Sequence, residues 1–248
     1  MIVRKPTLYL FPNLLGKHLY HEPWLPCSID KAVLDIDGLI AESAQGGRSF
    51  LNRFRTKKKP SSLPLGIFNE HSREEDVDFL LEPLLSGEHW GFVSDCGLPC
   101  IADPGSSLVF RARQKGILVK AFSGPSSITL AIMLSGLPSQ SFSFHGYVKR
   151  NVNERKRAIL ELERRSRADE ATQVFIEAPY RSEKTIRNFV EILDESTRLC
   201  AAWDLTMPTQ GIVCQDVSLW RKNPLPNLRK KPTVFLFKSG MRSKKAFP

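Results

Sequence analysis

The stretch Val93-Ser94-Asp95-Cys96-Gly97-Leu98-Pro99-Cys100-Ile101-Ala102-Asp103-Pro104-Gly105 ends an apolar run in a turn holding two aspartates, two glycines and two prolines. Glycine admits the positive backbone angles of a tight turn and proline fixes φ, so the strand must stop here and the chain must change direction. The turn leads into Ser107-Leu108-Val109-Phe110-Arg111-Ala112-Arg113, which has a helical pattern. A strand–turn–helix junction of this kind is how an α/β protein offers main-chain groups to a ligand, and it is also an ordinary connection; local chemistry alone leaves both open. A second junction follows, where Leu118–Phe122 ends in Ser123-Gly124-Pro125-Ser126-Ser127 and runs into the apolar pattern 128–134. Two neighbouring strand ends of this type would line one crevice.

Strands are expected at 7–11, 38–42, 64–69, 90–94 and 118–122, with helical patterns between them, one of which starts on the acidic residues Glu74, Glu75 and Asp76. Strands alternating with helices imply an open α/β sheet that binds ligands outside the carboxyl ends of its strands. From about Gly124 the pattern changes: strands are expected at 141–148, 173–177, 199–203, 211–217 and 233–237, and helices at 154–167 and 182–193. The last strands are closely spaced, which favours antiparallel pairing and a mixed sheet. The expected fold is therefore α/β in two domains, 1–123 with a mainly parallel sheet and 124–238 with a mixed one, followed by a basic tail at 239–248.

The Ser94–Gly105 turn, Gly124-Pro125-Ser126 and Gly136-Leu137-Pro138-Ser139 resemble the tetrapyrrole methylase superfamily of S-adenosylmethionine-dependent methyltransferases. They look most like the branch that methylates a cytidine 2′-hydroxyl in small-subunit ribosomal RNA. Looser likeness extends over Thr7-Leu8-Tyr9-Leu10-Phe11-Pro12, Ile40-Ala41-Glu42-Ser43, Asn69-Glu70-His71-Ser72 and Glu177-Ala178-Pro179-Tyr180-Arg181. Three segments depart from the family pattern. Asn13-Leu14-Leu15-Gly16-Lys17 lacks an aspartate, Glu42-Ser43-Ala44-Gln45 lacks a carboxylate and an arginine, and Trp203-Asp204-Leu205-Thr206-Met207 lacks a basic residue.

The resemblance implies a homodimer of two-domain chains with S-adenosylmethionine held in a cleft between the domains. By position, Gly97, Leu98, Pro99 and Ile101 would hold its methionine and ribose, Ser94 and Asp95 would belong to the same cofactor site, Ser126 and Ser127 would lie beside it, and Leu205 and Thr233 would approach the adenosine. Asp95 is read as organising the turn or touching the ligand. Methyl transfer to a hydroxyl is an in-line displacement, so alignment matters most and a base less. Glu42, Glu70, His71 and Glu177 are candidates for that base, each equally a structural group, and Arg73 and Arg181 are candidates for holding phosphate. Three readings stay open: an RNA 2′-O-methyltransferase, a methylase of a tetrapyrrole-like small molecule, and a noncatalytic cofactor- or RNA-binding paralogue.

The formal net charge of +10 favours a polyanionic partner such as ribosomal RNA or the small ribosomal subunit. The charge gathers at Arg48, Arg53, Arg55 and Lys57–Lys59, at Lys149, Arg150, Arg155–Arg157, Arg164, Arg165 and Arg167, and at Arg229–Lys231, Lys244 and Lys245. Five cysteines are an odd number, and Cys96 and Cys100 lack a second pair to complete a tetrahedron, so free thiols in a reducing compartment and no metal are expected. His145 is a residue that could reach the cleft. No apolar stretch is long enough to span a bilayer and the start has no signal-peptide core, so a cytoplasmic protein is expected.

Overall fold

The computed structural model describes residues 5–18 and 20–240, so the chain start, Lys244, Lys245 and all but the first two residues of the expected tail lie outside the described residues. The chain divides into two units, Met1–Ser126 and Ser127–Pro248.

In the first unit the elements run β1 (Thr7–Phe11), α1 (Ser28–Asp35), β2 (Gly38–Ala41), α2 (Ala44–Leu51), β3 (Leu65–Ile67), α3 (Glu74–Leu85), β4 (Trp90–Val93), α4 (Ser106–Gln114) and β5 (Leu118–Ala121). The strands form one parallel sheet in the order β3-β2-β4-β1-β5. Parallel neighbours need a crossover, and the helices supply it while covering both faces, which is why β2 and β4 are buried at every residue. The side chains alternate between the two faces. Phe11, Leu39 and Ala41 pack with Ile29 and Val33 of α1 and Phe50 and Leu51 of α2. Leu8, Ile40 and Phe92 pack with Val77, Leu80 and Leu81 of α3 and Leu108 of α4. The expected junctions do not end neighbouring strands: β1 lies between β4 and β5, and its own end becomes part of the rim.

The second unit holds α5 (Ser127–Ser135), β6 (Phe142–Tyr147), α6 (Val152–Ala168), β7 (Thr172–Glu177), α7 (Ser182–Ile192), β8 (Arg198–Trp203), β9 (Gly211–Asp216), α8 (Val217–Trp220) and β10 (Thr233–Lys238). Its sheet, ordered β6-β7-β10-β8-β9, is mixed: β6 and β7 are parallel and every other pair is antiparallel. Phe175, Phe189, Phe235 and Phe237 pack together with ring centroids 5.5–5.9 Å apart. The Trp220 indole N–H donates to the Leu199 carbonyl at 2.9 Å, so a large buried ring keeps its polar atom satisfied.

Candidate functional site

All five parallel strands of the first unit end at one rim, and the residues just past those ends hold one another in place. Asn13, following β1, does most of the holding. Its backbone N–H donates to the Gly97 carbonyl at 2.7 Å, and its Nδ2 donates to the Ser94 and Asp95 carbonyls at 2.9 and 3.0 Å. Its Oδ1 accepts from the Leu14 N–H and from Arg53, both at 2.9 Å. Glu42, following β2, accepts the Asp95 N–H at 3.0 Å, and Ser43 donates to Asp95 Oδ1 at 2.7 Å. The Ser43 oxygen also accepts the Gly46 N–H at 2.9 Å, so one hydroxyl caps α2 and steers Asp95. After β3, Asn69 donates to the Glu42 carbonyl at 3.5 Å.

The turn after β4 and the one after β5 converge over the end of β1. A Cβ built on Gly124 would fall 2.1 Å from the Pro12 Cβ and 3.6 Å from Leu98, so only a residue without a side chain fits there. Gly97 turns at φ +72°, and Cys100 and Ala102 take positive φ of 68° and 66°. Left-handed backbone at such residues costs about 1 kcal/mol or more and concentrates at ligand sites. Leu98 is half-buried, and Ile101 stands half-exposed on the turn as an apolar contact surface.

Negative charge dominates the turn. Asp103 has its carboxyl pushed up to about 6, first by burial and then by the charge of Glu42, with Asp95 adding to it and the Ser94 hydroxyl opposing it. Ser94 is 1% exposed, and its hydroxyl makes no contact of full hydrogen-bond geometry among the described residues. Desolvation, followed by the Asp103 charge, pushes the thiols of Cys96 and Cys100 up to about 11, so both stay protonated at neutral pH. Among the described residues no group of three or more His, Cys, Asp or Glu side chains is placed to share a metal ion.

The proposed bases separate. Glu42 belongs to the rim. Glu70 and His71 lie on the loop after β3, more than four-fifths exposed and 3.6 Å from each other. Glu177 lies in the second unit with its side chain fully buried, where it pairs with Arg181 at 2.9 Å and accepts from Thr185 at 2.7 Å and the Ala178 N–H at 2.9 Å. Both oxygens of that carboxylate are engaged within the fold, and Arg181 also donates to the Val148 carbonyl. His145 bonds Gln173 at 2.7 Å and lies tilted against Phe175, ring centroids 5.1 Å apart.

Ser126 is buried at the end of the first unit and Ser127 opens α5. Leu205 and Thr233 are both buried in the second unit, near the paired ends of β8 and β10, where Asp204 and Thr206 take φ of 49° and 73°. Four rim residues escaped sequence reasoning in their roles: Asn13, Ser43, Arg53 and Asp103. Asp103 stands inside the quoted motif, and Asn13 and Ser43 stand in segments compared with the family, but the contacts that give these residues their roles join positions distant in sequence.

Several basic residues prove to be structural. Arg155 is buried, donating to the Lys149 and Arg150 carbonyls, and Arg48 donates to the carbonyls of Pro60 and Leu63. Arg55, Lys58, Lys59, Lys149, Arg150, Lys156 and Arg157 stay exposed. Among the described residues no helix is long and apolar enough to cross a membrane.

The family described as Tetrapyrrole (Corrin/Porphyrin) Methylases matches residues 31–218. A protein of Vibrio cholerae serotype O1 named Ribosomal RNA small subunit methyltransferase I is 30% identical over 244 residues, which is 96% of this chain and 78% of that protein. A protein of the same name from Thermotoga maritima is 34% identical over 165 residues, covering 66% of this chain and 70% of its own. Two solved structures share the fold: diphthine synthase, with TM-score 0.63 and 15% identity over 94% of this chain and 89% of its own, and the methyltransferase CobJ, with TM-score 0.61 and 16% identity over 94% and 92%.

Proposed function

This chain belongs to the Tetrapyrrole (Corrin/Porphyrin) Methylases, and we propose that it carries the methyl group of S-adenosylmethionine to a ribose 2′-hydroxyl of small-subunit ribosomal RNA. The observation that carries the reading is the turn after β4, clamped by Asn13, Glu42 and Ser43 so that its backbone is rigid before any ligand arrives. The names of the relatives and the exposed cations support an RNA substrate.

The turn suits the cofactor chemically. S-adenosylmethionine, when bound, supplies a methyl group on a positively charged sulfur, and the rim offers carboxylates beside apolar Leu98 and Ile101. In this reading Ser94, Asp95, Gly97, Leu98, Pro99 and Ile101 hold the methionine and ribose, Ser126 and Ser127 flank them, and Leu205 and Thr233 contact the adenosine. Because the clamp fixes the turn, little ordering entropy remains to be lost on binding, and the reacting atoms can be aligned for in-line attack. The protein acts as a cytoplasmic homodimer.

Purified protein, labelled cofactor and small ribosomal subunits lacking the mark provide the test. Label should appear in the RNA on a 2′-oxygen; no transfer to subunits or their naked RNA overturns the assignment. A small-molecule methylase is the second reading, favoured by the description of the family itself. Salt-independent binding of a porphyrin precursor would select it. Absence of S-adenosylmethionine binding at millimolar concentration in a calorimeter would instead mark a noncatalytic paralogue.

A further inference from the structure

In the second unit, the segments that follow β6 and β7 are exposed, aromatic and cationic. The two strands are parallel with Tyr147 opposite Ile176, so those segments emerge side by side. Tyr147 closes β6 and Tyr180 follows β7; they are 56% and 76% exposed, and the Tyr180 ring packs on no other ring among the described residues. Lys149, Arg150, Lys156 and Arg157 are exposed as well, and none of their side chains pairs with a carboxylate among the described residues. The exposed carboxylates nearest in sequence are Glu154 and Glu183, one in the first turn of α6 and one in that of α7.

Two further arginines hold this surface from inside. The buried Arg155 guanidinium donates to the Lys149 and Arg150 carbonyls, both at 3.2 Å, and to Asn188 Oδ1 of α7 at 3.3 Å. Arg181, next to Tyr180, donates to the Val148 carbonyl at 2.6 Å, which ties the segment after β7 to the one after β6. Asn151 caps α6 by accepting the Asn153 and Glu154 N–H groups at 2.9 and 3.1 Å. Because these bonds take main-chain oxygens, the Lys149 and Arg150 side chains stay exposed on a fixed backbone.

We propose that the ends of β6 and β7 form a platform for an unpaired RNA segment, with a base stacked on Tyr180 and phosphates met by Lys149, Arg150, Lys156 and Arg157. The inference rests on the RNA reading of the protein and narrows it to a single-stranded stretch. Cations alone would take any polyanion through counterion release. An exposed ring beside them adds a preference for an open base face, which an unpaired nucleotide offers and the interior of a duplex does not. With the backbone already fixed, little ordering entropy is lost when the strand binds.

Fluorescence anisotropy with a labelled single-stranded oligoadenylate, and with the same strand annealed to oligouridylate, tests this. Tyr180→Ala should weaken single-strand binding about tenfold and leave duplex binding within about twofold. Tyr180→Phe should bind like the parent, because the ring and not the hydroxyl does the stacking. Replacing Lys149 and Arg150 together with alanine keeps the carbonyls that anchor Arg155. It should lower the slope of log K against log salt by about 1.4 on the single strand, about 0.7 for each phosphate contact, and Lys156 with Arg157 should do the same. Melting temperatures and calorimetric affinity for S-adenosylmethionine should match the parent in every variant, which separates lost binding from lost folding. Parent-like single-strand binding in Tyr180→Ala, an equal loss on the duplex or in Tyr180→Phe, or an unmoved slope in either double replacement overturns the platform while the RNA reading stands. Failure of the parent to bind either RNA overturns that reading and the platform with it.

Discussion

Asn13 illustrates how one side chain can organise the rim where several strands end. Its amide joins the ends of β1 and β4, and its oxygen holds Arg53, whose guanidinium is partly desolvated there. Asn13→Ala removes both carbonyl contacts and strands the Arg53 donor, which should cost about 2–3 kcal/mol of stability and loosen cofactor binding by about tenfold, read by melting and calorimetry. Gly46 is the second residue on which the turn depends, since a Cβ there would fall 2.0 Å from Asp95 Oδ1. Gly46→Ala should improve α2 by about 1 kcal/mol in helix propensity yet displace Asp95, so methyl transfer falls while the melting temperature holds. An unchanged rate in that variant would show that Asp95 placement is irrelevant.

At the level of elements, the network at the end of β7 shows a carboxylate tied into the fold. Glu177 joins β7 to the start of α7 through Arg181 and Thr185. Glu177→Gln leaves the Arg181 charge without its partner, and breaking such a buried pair should cost about 3 kcal/mol in denaturant unfolding. The rate per folded molecule should be preserved; a large fall in kcat at full folding would return Glu177 to the catalytic candidates. The strands themselves were legible because short apolar runs bounded by Gly, Pro and Asp have few alternatives. The order of strands was not, since the hydrophobic pattern of β1 is the same whether it lies between β4 and β5 or outside them.

For the molecule as a whole, net charge overstates the surface available to a polyanion. Arg48 and Arg155 are committed to backbone carbonyls, Arg181 to Glu177, and Arg164 and Arg165 to Glu161. Exposed cations include a group at 55–59 in the first unit and, in the second, groups at 149–157 and 229–230. Replacing Lys58 and Lys59 with alanine should weaken RNA binding and reduce the slope of log K against log salt by about 2 if both contact phosphate, with calorimetric cofactor affinity unchanged. An unaltered slope would remove that segment from the RNA surface.

The sequence by itself determined the alternation of strands and helices, the change to a mixed second sheet, the turn at Ser94–Gly105 and the family the chain resembles, because each is written in local periodicity or in contiguous motif residues. Tertiary structure alone decided how each carboxylate is held. Glu42, Asp95, Asp103 and Glu177 are alike as letters, and their differences come from hydrogen-bond partners up to 53 positions away, burial and uncompensated neighbouring charge. Those quantities depend on which chain segments meet at the rim, and no local pattern encodes that.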